Sequence, residues 1–292
     1  MQAHRADEDA SRGAPCDTRR TYWTHQMEAA YAFMQVMMDY LVKECGEPMV
    51  SLRDAAREAC VTVLFSETKI AGQFERLFYL RTGLITRFIA AARDMNKQGW
   101  ILKVEDGYRS RAMQKGVAMQ PIVLDRILAK VIWETRGNCP EPSFLFRRIT
   151  ALSATFPKIG THMSGSAMDI SVIRMEDGTD VDRGGPYIEL SEKTPMESPF
   201  VPLQAAGNRA EITRIMQRHG FMAYPWEFWH YSQGDAYAEH LVNSGKPARY
   251  GAVDFDPITG SLAAMLNPKE PLHLPQDILR NMRAALARLG NE

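Results

Sequence analysis

Gly160-Thr161-His162-Met163-Ser164-Gly165-Ser166-Ala167-Met168-Asp169-Ile170-Ser171 is the stretch that decides the reading of this 292-residue chain. Its second half, continuing to Ile173, alternates like a strand and carries Asp169 between two apolar neighbours. An Asp on a buried strand face is costly unless it is paired, hydrogen-bonded or on a metal, whereas on a solvated face it needs no partner. His162 stands seven residues earlier, among Gly160, Gly165 and Ser166, which let backbone approach closely. A second stretch, Pro225-Trp226-Glu227-Phe228-Trp229-His230-Tyr231, adds a carboxylate and an imidazole three residues apart. Two imidazoles and a carboxylate can hold a divalent metal and leave one coordination position for water. His162, Asp169 and His230 are therefore the candidate ligands, zinc (Zn2+) the candidate ion and Glu227 the candidate proton carrier. Bound zinc can bring the pKa of its water to about 7, the chemistry a hydrolase uses.

Residues three apart on an ideal strand face opposite sides. Glu227 and His230 reach one site only if the backbone bulges, or if Glu227 occupies the turn before the strand, which Pro225 favours. The neighbouring Trp226, Phe228 and Trp229 serve equally as a water-excluding wall or as core. Upstream, the apolar run Trp100 to Val104 reads as a strand and leads into Asp106-Gly107-Tyr108-Arg109-Ser110. A guanidinium beside a metal site can hold a developing oxyanion, although an arginine in a turn is more often solvated.

Thirty-five basic residues balance thirty-five acidic ones, so no single-sign field points to nucleic acid. No run of roughly twenty apolar residues is present to span a bilayer. The polar N-terminus lacks an apolar signal segment, and a cytoplasmic protein is expected. Cys16, Cys45, Cys60 and Cys139 form no C-x-x-C pair and read as free thiols. Ser66-Glu67-Thr68-Lys69 matches the S-x-x-K of penicillin-recognising serine enzymes, but the companion S-D-N and K-T-G are missing.

Residues 1–20 read as a disordered leader. Periodicity predicts helices over Tyr22 to Cys45, Gln73 to Gln98, Ile122 to Trp133 and Pro275 to Leu289. Asn208 is the expected N-cap of a helix over Arg209 to His219. Phe221 to Tyr224 and Phe228 to Ser232 read as short strands, and residues 178–205 as a long irregular loop. His4, His25, His219, His240 and His273 are expected to be solvated. The organisation expected is a helical region over 21–98, a catalytic core over 99–235 and a helical extension over 236–292.

Together these residues resemble the zinc D-alanyl-D-alanine dipeptidases of the vancomycin-resistance type and the related D,D-carboxypeptidases. The resemblance rests on S-x-H-x-x-G-x-A-x-D, here Gly160 to Asp169, on E-x-W-H, here Glu227 to His230, and on D-G-Y-R, here Asp106 to Arg109. It covers roughly residues 70–232. It implies an α+β fold in which a small antiparallel sheet carries the metal, with helices around it and extra helices at both termini. It also implies that His162, Asp169 and His230 bind zinc, that Glu227 is the catalytic base and that Arg109 stabilises the transition state. A small D-amino-acid peptide is the implied substrate. The alternatives are a D,D- or L,D-carboxypeptidase acting on cell-wall peptides and a non-catalytic binding module that keeps the metal. Three departures stand out: Gly160 replaces the leading Ser, Ser110 follows the arginine in place of Pro, and no Asp occupies the loop position that would hold a free ammonium. Glu189, one step away, is the expected substitute, with Asp182 behind it. Ser164, Tyr108 and Trp229 are the other expected substrate contacts. The oligomeric state is not legible.

Overall fold

The computed structural model describes residues 16–290. In chain order they form α1 (Cys16–Asp39), β1 (Met49–Ser51), α2 (Leu52–Glu58), β2 (Val63–Phe65), β3 (Tyr79–Arg81), α3 (Thr82–Lys97) and β4 (Trp100–Asp106). Then follow α4 (Arg111–Met119), α5 (Pro121–Glu134), α6 (Pro142–Leu152), β5 (Ala167–Arg174), α7 (Leu203–Arg218), β6 (Met222–Ala223) and β7 (His230–Ser232). The remaining elements are α8 (Ala236–Leu241), β8 (Val253–Phe255), β9 (Leu262–Ala264) and α9 (Pro275–Leu289).

The central sheet has the order β2-β4-β5-β7-β6. The pairs β4–β5, β5–β7 and β7–β6 are antiparallel, and β2 lies at the edge parallel to β4. The fold is α+β as the resemblance implied, but the sheet is mixed. A parallel pair needs a crossover, and the segment through β3 and α3 supplies it.

Period-2 alternation along the strands separates two jobs. Leu102, Val104, Met168, Ile170 and Val172 pack against Phe88, Ala92 and Met95 of α3 and Ile212 and Met216 of α7. Asp169 and Ser171 point to the other face, which is also buried. A second cluster joins α1, α5, α6 and α9 through Trp23, Met27, Leu124, Leu128, Ile149 and Met282. A third, with Phe33, Met34, Ile159, Tyr224 and Tyr237, anchors α1 beside the segment that carries His162.

Several boundaries differ from the sequence reading. The first helix begins at Cys16 and ends at Asp39, so residues 16–20 of the expected leader are helical and residues 1–15, with His4, lie outside the described residues. Tyr79–Arg81 is a strand paired with Met49–Ser51 and not part of a long helix. The helix expected after Asn208 starts at Leu203, directly behind Pro202. Pro202 supplies the break, and Asn208 lies inside the helix with its amide donating to the Asp182 carbonyl. His273 is buried rather than solvated. No helix among the described residues is long and apolar enough to cross a membrane.

Arg81 ties these layers together. Its side chain is fully buried and donates to the Ser164 carbonyl at 2.6 Å, the Glu44 carboxylate at 2.9 Å, the Glu47 carbonyl at 2.8 Å and the Gly251 carbonyl at 3.3 Å. Arg81→Met would take this donor from three carbonyls and leave the Glu44 carboxylate only the Gly46 and Gly251 N–H groups, and breaking such a buried pair costs about 3–5 kcal/mol. Denaturant unfolding should register that loss, whereas a variant as stable as wild type would show that Arg81 is not the tie described.

Candidate active site

Strand register brings the site together. Asp106 on β4 and His230 on β7 both stand opposite Asp169 on β5. The pairing of β4 shifts between Val104 and Asp106, an irregularity of the kind that re-aims side chains beside active sites. His162 comes from a 3-10 turn, Thr161–Ser164, closed by Gly165 at φ +67°. A Cβ at Gly165 would displace the tip of the Met49 side chain, and the positive φ is what requires glycine. Glu227 sits in the turn before β7, where its N–H donates to the Tyr224 carbonyl and its own carbonyl accepts from the His230 N–H, each at 3.2 Å. The backbone turn that the three-residue spacing demands is therefore present.

His162, Asp169 and His230 are 5%, 3% and 5% exposed, and their ligand atoms lie within 4.8 Å of one another. Asp169 Oδ1 faces His162 Nε2 at 3.2 Å and His230 Nδ1 at 3.0 Å. The outer nitrogen of each ring is also occupied. His162 Nδ1 donates to the Gly107 carbonyl at 2.7 Å, and His230 Nε2 meets Thr161 Oγ1 at 2.9 Å. A carbonyl only accepts, so neutral His162 carries its proton on Nδ1 and presents a lone pair at Nε2. Outer partners of this kind orient metal-binding histidines. Two imidazoles and one carboxylate oxygen, each oriented from behind, fit a divalent metal.

Asp169 Oδ2 accepts from Arg109 Nη2 and from the Tyr187 hydroxyl, both at 3.0 Å. Arg109 Nε donates to Asp106 at 2.7 Å and its Nη1 to Gln114 at 3.3 Å. Arg76 also pairs with Asp106, at 3.2 Å. Burial works against the charge of Asp169, yet His230 and Arg109 hold it well below the usual carboxylate range. Burial and the nearby Arg109 lower His162, which favours the neutral ring. His230 goes the other way: burial opposes its charge, but the Asp169 carboxylate raises it. The field at that nitrogen favours a cation, a proton or a metal.

Burial pushes the Glu227 carboxyl up to about 8, with Asp169 acting in the same direction and His230 and Arg109 against it. A group poised near neutrality is suited to proton transfer. A cavity of about 90 Å³ opens over these residues, and Arg109, His162, Asp169, Glu227, Trp229 and His230 all line it.

Three of the expected substrate contacts are turned elsewhere. The Tyr108 hydroxyl donates to the Val253 carbonyl and accepts from the Phe255 N–H, because neighbouring residues of the extended segment place Arg109 inward and Tyr108 toward the β8–β9 hairpin. Ser164 Oγ donates to the Thr161 carbonyl and contacts Ser166, holding the His162 turn. Glu189 packs over Gly185 and does not line the cavity, whereas Tyr187, Ile188 and Leu190 do. Ile188 has φ +62°, rare for a β-branched residue. Tyr187 was not found by sequence reasoning, since nothing in its spacing ties it to the motifs.

Comparison with known proteins agrees with this geometry. The family model described as D-ala-D-ala dipeptidase, peptidase family M15, matches residues 68–247. A D-alanyl-D-alanine dipeptidase of Synechocystis sp. is 24% identical over 242 residues, covering 73% of this chain and 94% of that protein. One from Escherichia coli is 30% identical over 112 residues, covering 38% of this chain and 52% of that protein. Among solved structures, the LdcB LD-carboxypeptidase superposes with a TM-score of 0.34 at 16% identity, over 72% of this chain and 80% of that one. A point mutant of the vancomycin-resistance D,D-pentapeptidase VanY, in complex with Zn(II), gives 0.33 at 15%, over 64% and 94%. Scores this low carry no weight for fold or function. The family match spans more than half of the chain and includes every residue of the buried His/Asp/His group, so the chain belongs to the D-Ala-D-Ala dipeptidase family of M15 metallopeptidases.

Proposed function

We propose that this protein hydrolyses D-Ala-D-Ala, or a similarly short D-amino-acid peptide, with zinc held by His162, Asp169 and His230. The observation that supports this best is the convergence of three buried donor side chains whose outer atoms are already hydrogen-bonded. Zinc bound there would polarise the scissile carbonyl and acidify water. Glu227 takes a proton from the attacking water and delivers it to the leaving nitrogen. Arg109 is fixed by Asp106, Gln114 and Asp169. A guanidinium carries five N–H donors, so those three bonds leave N–H groups free for the oxyanion that develops on the carbonyl. By the measure in which one water needs roughly 10–15 Å³, the cavity holds a handful of waters, the scale of a dipeptide.

One observation favours a second reading, cleavage of the last residue from an N-acylated or longer peptide. Among the described residues, Asp169 and Glu227 are the only carboxylates lining the cavity, and both are committed. A free ammonium buried there has no further acid to pair with.

Purified protein should carry close to one zinc per chain, and His230→Ala should lose most of it. Equal zinc content in the two would contradict the ligand set. Glu227→Ala should keep the metal and lose hydrolysis of D-Ala-D-Ala by on the order of a hundredfold or more. Loss of the metal in that variant would show that the roles are exchanged.

A third expectation concerns pH. In the folded, metal-free protein Glu227 keeps its proton until about 8, while its ordinary value is 4.5. Between these limits the folded state holds a proton that the unfolded chain has released, so stability falls as pH rises. Thermal melts between these limits should show that component in wild type and its absence in Glu227→Gln. Parallel pH profiles would show that Glu227 is not raised.

A further inference from the structure

Asp235 precedes α8, and its carboxylate caps that helix by accepting from the Ala238 N–H at 3.0 Å. The residue is 2% exposed. The same Oδ1 accepts from Ser232 at 3.1 Å, and Oδ2 accepts from Ser166 at 2.6 Å. Ser232 lies on β7 opposite Ala167, two residues past the pair His230 and Asp169. Asp235 therefore grips the strands of the metal site just beyond the ligands. Ser166 in turn stands beside Ser164 Oγ, which donates to the Thr161 carbonyl at 2.6 Å. Thr161 Oγ1 meets His230 Nε2, so a run of hydroxyl-bearing residues joins Asp235 to the rear of that ring. The other buried carboxylates among the described residues, Glu105, Asp106, Glu134, Asp169 and Glu192, each pair with an arginine or a lysine. Asp235 is held by two hydroxyls and one N–H instead. Two cations come near the network. Arg81 reaches the Ser164 carbonyl but is paired with Glu44. Lys158 shares a cavity of about 220 Å³ with Asp235, Thr161 and Ser164, and its ammonium donates to the Tyr40 carbonyl at 2.7 Å.

An ionised carboxylate removed from water is costly without a cation beside it. The cap alone does not account for it, because asparagine caps a helix as well as aspartate does. What asparagine would lack is negative charge behind His230. Burial opposes a charge on His230, whereas Asp169, Glu227 and Asp235 favour one, so the field of Asp235 reaches that ring. We infer that Asp235 is a positioning residue for the metal centre, tying the His162 turn to β7 and facing the bound cation with a charge that nothing else matches. The charges of the site agree with this. Without a metal, Asp106 and Asp169 balance Arg76 and Arg109. A dication adds two positive charges, and Glu227 and Asp235 are the carboxylates left to face them.

The inference rests on the metal reading of the site, and its test reads metal affinity and stability rather than turnover. Zinc affinity, by competition with a chromogenic chelator, and the Tm of the metal-free protein are measured on the full chain. The variants are Asp235→Asn and Asp235→Ser, both of which remove the charge and can still cap α8. Zinc affinity should fall about 10-fold in each, the lower end of the range for outer partners of metal ligands. The metal-free Tm should equal or exceed that of wild type, because a buried charge without a counter-ion is gone. The rise in Tm on adding zinc should therefore be smaller than in wild type. A purely structural aspartate would give the opposite pattern, a lower metal-free Tm with zinc affinity kept, and that result overturns the inference. Loss of affinity together with a lower metal-free Tm in both variants overturns it too, since the carboxylate would then act through the fold and not through its charge. Zinc affinity within twofold of wild type in both variants removes the inference and leaves the metal reading intact. Wild type that takes up no zinc contradicts the metal reading, and the inference falls with it.

Discussion

The site depends on a single buried carboxylate. Asp169 is almost fully removed from water, and an isolated charge there would cost many kcal/mol. Its two oxygens divide the work of offsetting that cost. Oδ1 faces the two imidazoles, and Oδ2 takes the Arg109 guanidinium and the Tyr187 hydroxyl. The second pair holds the carboxylate in place so that the first oxygen is free to bind a cation. Each imidazole is in turn fixed from its outer side, by Gly107 and Thr161. The arrangement is set before any ligand arrives, which limits the reorganisation that binding requires.

The sheet is what makes that carboxylate possible. Asp169 has to lie directly opposite His230 and next to Asp106, and both relations are fixed by strand register. A one-residue slip would carry every side chain of β5 to the other face. Met168, Ile170 and Val172 prevent it, because a slip would withdraw them from α3 and α7. Hydrophobic packing on one face therefore sets polar geometry on the other. Arg81 secures the remaining piece, since it binds the Ser164 carbonyl at the end of the His162 turn and reaches chain segments before and after the catalytic region.

How much of this was legible in sequence varied with the range of the interaction. His162 and Asp169 lie on one continuous strand-and-turn segment, so spacing located them. For Glu227 the spacing allowed a bulged strand or a turn before it, and the turn that Pro225 favours is the one present. The α+β fold was implied by the family resemblance, and the final helix was readable from its 3.6-residue period. The parallel pairing of β2 was not, because it is made across a crossover that no local pattern records. Tyr187 and Glu189 show the limit most clearly. They are two residues apart in an irregular loop, yet Tyr187 reaches Asp169 while Glu189 packs over Gly185. Only the path of the loop decides between them, including the unusual backbone at Ile188.

Zinc-edge X-ray absorption of the protein loaded with one equivalent of zinc addresses the central claim, that His162, Asp169 and His230 form one metal centre. The expected spectrum has a first shell of nitrogen and oxygen near roughly 2.0–2.2 Å with imidazole scattering from two rings. His162→Ala and His230→Ala should each remove one ring from that signal. A sulfur scatterer near about 2.3 Å, or a spectrum unchanged by either substitution, would place the metal elsewhere and contradict the claim.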